Sequence, residues 1–102
     1  MARFDVFRFA SSSAPLVVDV QADLLSDLAT RVVIPLSPAR LAGKEAVARL
    51  KPVMDINGER FVLMTTDLAA LPLKRLGPYV ENVESRYRKE ITDALDFLFL
   101  GF

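Results

Sequence analysis

The chain has 102 residues, 13 basic and 13 acidic, so it lacks the electrostatic footprint of a protein whose main work is gripping phosphate backbones. It contains neither Cys nor His, which excludes disulfides, a thiol nucleophile, thiolate or imidazole metal sites and the usual general base of hydrolases. With 52% apolar and 25% charged residues it reads as one folded domain over 1–102 with apolar surface to spare, for which oligomerisation is an outlet.

Residues Arg3 to Phe9 alternate, Phe4 and Val6 on one side and Asp5, Phe7 and Phe9 on the other, and run into the turn-prone "SSSAP". A first strand ends there. "PLVVDVQ" from Pro15 is a second, with Leu16, Val18 and Val20 sharing a face opposite Val17 and Asp19. The stretch "ADLLSDLAT" is a loop tip or a short helical turn carrying Leu24, Leu25 and Leu28. In "RVVIPL" (Arg31 to Leu36) Pro35 argues for an edge strand or a strand end, because proline gives no ladder N–H. "SPARLAGKEAVARLKP" follows as a loop with partial helix, Ser37 as N-cap and Pro38 at the first helical position.

The clearest local signal is "KPVMDINGERFVLMTTD", two apolar runs joined by Asn57-Gly58, which suits a two-residue type I′ hairpin turn. Its second arm is apolar on both faces, the mark of a strand buried on two sides. "DLAALPLKRLGP" supplies a short strand or turn before Gly77-Pro78. From Val80 the period lengthens: Val80, Val83, Tyr87, Ile91, Ala94, Leu95 and Leu98 form one stripe of a helix of about five turns. Taking Ile91 as reference at 100° per residue, Leu95 and Leu98 lie within about 40°, whereas Leu100 lies opposite and Phe97 far to the side. Strands with hairpin punctuation followed by a helix predict a mainly β, α+β fold: an antiparallel sheet or barrel with a helix packed on it.

Catalytic chemistry is hard to find. The four glycines are isolated, so there is no phosphate loop, and "TTD" at Thr65 to Asp67 fits a turn or cap better than a nucleophile with its acid. Asp19, a carboxylate among valines, must face solvent or pair with a cation. Arg40, Lys44, Arg49 and Lys51 read as a solvated face rather than a nucleic-acid patch. No apolar run reaches the roughly 20 residues of a membrane span, and "MARFDVFRFASSSAP" has no signal-peptide core, so a cytoplasmic location is expected.

The closing "DFLFLGF" is the exception to this modest surface. Phe97, Phe99 and Phe102 either finish the core or seal a homodimer. Alternatively, off-stripe apolar side chains beside a chain end form a docking patch, with Leu100 its best candidate.

Several stretches together resemble the CcdB family: "VDVQ" at 18–21, "VIPL" at 33–36, "ARL" at 39–41, "MTTD" at 64–67 and Phe-x-Gly at 99–101. Spacing matches along nearly the whole chain, with one extra residue in the helix before its last turns. The resemblance implies a homodimer of SH3-like β-barrels, each with a C-terminal helix, that enters the DNA gyrase A subunit and traps its cleaved-DNA complex without catalysis or cofactor. It also implies a CcdA-like antitoxin whose disordered tail folds on the toxin, and operator DNA bound only through the antitoxin complex, which represses the operon.

Carried over position by position, the gyrase-facing residues are Leu24, Leu25, Asp96 (Asn in the family pattern), Phe99, Leu100, Gly101 and Phe102. Position 100 departs from the pattern. The family's toxins resemble one another in having Trp there, paired across the two-fold and stacked on a gyrase arginine. Leucine has no π face for that contact, worth about 0.5 to 2 kcal/mol each. A non-poisoning homologue that binds only antitoxin is therefore one alternative, and a MazF-like ribonuclease toxin of similar fold is another.

Overall fold

The computed structural model describes residues 2–102, with Glu45 described by its backbone alone. Seven strands form one antiparallel sheet: β1 (Asp5–Arg8), β2 (Leu16–Asp19), β3 (Thr30–Pro38), β4 (Val53–Ile56), β5 (Glu59–Leu63), β6 (Ala69–Pro72) and β7 (Tyr79–Asn82). The hydrogen-bonded path runs β4-β5-β3-β2-β1-β7, and β6 joins β3 beside it. A short helix α1 (Ala39–Ala42) follows β3, and the long helix α2 (Glu84–Leu100) follows β7. The sheet curls into a half-barrel, a mainly β, α+β fold. None of the described helices is long and apolar enough to cross a membrane.

The two-residue period of the strands places Phe4, Val6, Leu16, Val18, Ile34, Leu36, Phe61 and Leu63 on the concave face, where α2 adds Ile91 and Ala94. The opposite faces are covered as well. Phe7, Val17 and Val33 pack under Leu71 and Leu76, and Val62 and Met64 pack against Ala39 and Ala42 of α1. Double burial explains why β2 and the second hairpin arm are apolar on both sides. In the hairpin, Ile56 opposes Glu59 and the turn residues Asn57 and Gly58 have φ of 52° and 82°, as a type I′ turn demands.

Three local expectations need correction. β3 is a nine-residue central strand although Pro35 lies inside it. Val20 N–H donates to Val32 O, so alternation makes Val17 and Pro35 a pair without mutual hydrogen bonds, and the missing N–H points away from β2. On that side β6 has ended at Val33 and β5 begins only at Leu36. Proline therefore occupies the gap between two partners, where only its carbonyl is used, accepting from Met64 N–H at 2.9 Å.

Ser37 is not an N-cap. It belongs to β3, and its buried hydroxyl donates to Ser13 O while Pro38 stands before α1 without side-chain capping. Val80 lies in β7, not on the helix, and α2 begins at Glu84. Val80 and Val83 still pack toward the main core, which is why their three-residue spacing looks helical from the sequence. Asn82 makes the junction: its Oδ1 accepts from Glu84 N–H, and its Nδ2 donates to Arg3 O and Asp5 Oδ1.

Candidate functional site

The loop after β2 is built from its polar residues outward. Asp19 and Arg31 are both fully buried and meet at 2.6 Å, with a second bond from Arg31 Nε to the same carboxylate oxygen at 2.8 Å. Gln21 N–H donates to the other Asp19 oxygen at 2.9 Å. Burial pushes the Asp19 carboxyl above the ordinary carboxylate value, while the Gln21 N–H and the Arg31 guanidinium pull it back. Of the two readings open to Asp19, the paired one holds.

Gln21 extends this network to the surface. Its Nε2 donates to Leu25 O and its Oε1 accepts from Val32 N–H, both at 2.9 Å. Asp23 side-chain oxygen accepts from Arg3 N–H, fixing the front of the single 3-10 turn Asp23–Leu25. A loop held at both flanks has no freedom to fold its leucines inward. Leu24 consequently stands 92% exposed, with Leu25 and Leu28 about half exposed beside it.

The end of α2 supplies the second apolar group. Gly101 adopts φ 79° and its N–H donates to Phe97 O, closing the helix with a left-handed cap that a side chain would strain. Its role within the chain is thus to end the helix, which leaves Phe102 beyond the cap. Phe99, Leu100 and Phe102 are 67%, 59% and 75% exposed. Leu100 faces solvent as its phase requires.

The phenylalanines do not finish the core of this chain. Phe97 is half-buried under the Arg49 guanidinium, 5.0 Å from its ring centre, and Leu98 is half-buried outside the main cluster. Arg40, Lys44 and Arg49 are exposed, as a solvated face would be, though Arg49 is engaged by Phe97.

These two groups meet in part. Leu25 and Phe99 line one open apolar groove of about 470 Å³, whose floor is Val20, Val32, Leu68 and Leu95. Leu24, Asp96, Leu100 and Phe102 are outside that groove, and Asp96, Leu100 and Phe102 lie exposed toward the end of α2 or just past it. Sequence reading missed the groove floor and Gln21. The "VDVQ" stretch contained the signal: a glutamine adjoining buried valines needs partners for both ends of its amide. The groove has no cation, carboxylate pair or nucleophile on its walls, and its chemistry is that of apolar contact. Among the described residues no cluster of three or more Asp or Glu is placed to hold a metal ion.

A curled antiparallel half-barrel with a long final helix, whose tip carries exposed apolar side chains, defines a small, mainly β, α+β protein. The family model described as "CcdB protein" matches residues 3–101. The chain belongs to the CcdB family, whose members are toxins of toxin–antitoxin modules.

Proposed function

We propose that this toxin acts as a homodimer that binds the DNA gyrase A subunit and traps the gyrase–cleaved-DNA complex. The observation that carries the reading is the solvent-exposed set Phe99, Leu100 and Phe102 at the end of α2, in a chain matched to the family over residues 3–101. Several large apolar side chains exposed together at one helix end are the usual mark of a partner surface. Leu25 joins it through the groove it shares with Phe99, and Leu24 stands exposed on the same loop as Leu25. The protein works by occupancy and not by catalysis, in the cytoplasm where gyrase works.

A CcdA-like antitoxin neutralises the toxin through a tail that orders on binding, and operator DNA is reached only through that complex. The balanced charge of the chain supports this last assignment, because it offers no net positive field of its own. The test is a gyrase supercoiling and cleavage-complex assay with purified protein. Inhibition with accumulated cleaved DNA is expected, and absence of both at micromolar concentration overturns the proposal.

Leu100 favours a second reading. Without the aromatic stack, gyrase affinity falls by about tenfold to several hundredfold if the contact is lost in both protomers of a dimer. The chain then serves as an antitoxin-binding regulator without poisoning. Induction in cells separates the two: growth arrest supports the poison, and continued growth with an intact antitoxin complex supports the regulator.

A further inference from the structure

The strand path ends at β4 on one side and β7 on the other, and the first turn of α2 follows directly on β7. Ile56 and Glu59 flank the two-residue turn as a hydrogen-bonded pair, so alternation points the backbone groups of Val53 and Asp55 away from β5. Leu63 N–H donating to Pro52 O confirms the phase. An outward row of this kind is a template for pairing with another strand.

Here the row is plugged at alternate positions. Asp55 N–H donates to Tyr87 Oη at 2.9 Å, and Arg86 Nη1 donates to Asp55 O at 3.0 Å. Two residues before Val53, Lys51 exchanges both backbone bonds with Val47. Val53 is left between two blocked positions. The other arm of Arg86, Nη2, reaches Glu81 of β7 at 2.7 Å, so a single guanidinium spans from one end of the strand path to the other. The same guanidinium lies 5.1 Å from the centre of the Tyr87 ring, which braces the two residues against each other.

We propose that Arg86 and Tyr87 form a latch across the seam of the half-barrel, withholding the β4 edge from strand pairing with a second copy of this chain. The latch is independent of what the exposed tip binds. Its opening frees both backbone groups of Asp55 and converts a blocked edge into a pairing edge.

Hydrogen exchange resolved at single amides tests this. Tyr87→Phe keeps the ring and removes only the acceptor oxygen. The Asp55 amide is expected to exchange about tenfold faster, with the Val17 and Val18 amides within about twofold of the parent. The double variant Arg86→Gln, Tyr87→Phe is expected to associate further than the parent with rising concentration in sedimentation, with protection returning at Val53 and Asp55 in the larger species. Unchanged exchange at Asp55, acceleration spread evenly over all strands, or a double variant that associates no further than the parent overturns the latch.

Discussion

Two neighbouring regions invert the usual rule of polar outside and apolar inside. Beneath the β2–β3 loop, Asp19 and Arg31 are charged and fully buried, whereas at the tip of α2 and on the loop itself Leu24, Phe99, Leu100 and Phe102 are apolar and mostly exposed. The inversions teach different things. A buried ion pair is held by the fold, and removing one partner leaves the other charge without water or counter-charge. An exposed hydrophobe contributes little to the fold, and its use must be sought in what covers it.

The largest effect that separates the regions is expected from Arg31→Met. It leaves Asp19 buried without its cation and should cost about 3 kcal/mol at neutral pH, read by urea unfolding. The pH sign follows from burial, which already raises the Asp19 pKa and raises it further once Arg31 is gone. A carboxyl whose folded pKa exceeds its unfolded value near 4 is best tolerated in the fold below that value. Its stability is then lost as pH rises through the folded pKa. The variant should therefore regain part of its deficit at pH 4 relative to pH 7.5, and a pH-independent deficit would refute the account of an isolated buried carboxylate.

The next effect probes the partner side. If the docking pose places both copies of residue 100 against a gyrase arginine, Leu100→Trp should raise gyrase affinity by about tenfold to several hundredfold, measured by titration calorimetry. No gain would show that this chain seats on its target in another way. Gly101→Ala should cost about 1 kcal/mol, because it puts a side chain on a left-handed cap. It should loosen the tip without unfolding the sheet, detectable as faster exchange confined to the last turn of α2.

The smallest effect on stability is expected from Phe99→Ser, within about 0.5 kcal/mol of the parent, combined with clear loss of gyrase or antitoxin binding in a pulldown. A large stability loss there would move Phe99 from the proposed docking surface to the fold. Taken with Arg31→Met, it would erase the contrast between the two regions.

Much of the frame was legible because its signals are local. Asn57-Gly58 specifies its turn through the φ values it permits, and the stripe at Ile91, Ala94 and Leu95 specifies the buried face of α2 through a period of 3.6. The exposure of Leu100 follows from the same phase. Pro35 points to an edge strand or a strand end because its sequence neighbourhood does not reveal that β3 changes partner beside it. Val80 looks helical because strand and helix both carry apolar residues at such spacing when each packs on one core.

By itself, then, the sequence determined the strands and helix in outline, the hairpin register, the absence of thiol and imidazole chemistry, and the family through motifs along the chain. Only the tertiary structure decided that Asp19 takes Arg31 as its partner, that Gln21 holds the leucine loop, that Leu25 and Phe99 share a groove, and that Arg86 bridges β4 to β7. The reason is physical. Turn chemistry and periodicity act between residues a few positions apart, whereas Asp19–Arg31 forms across paired strands, and Leu25–Phe99 and Arg86–Asp55 join elements far apart in the chain that the curl of the sheet brings within reach.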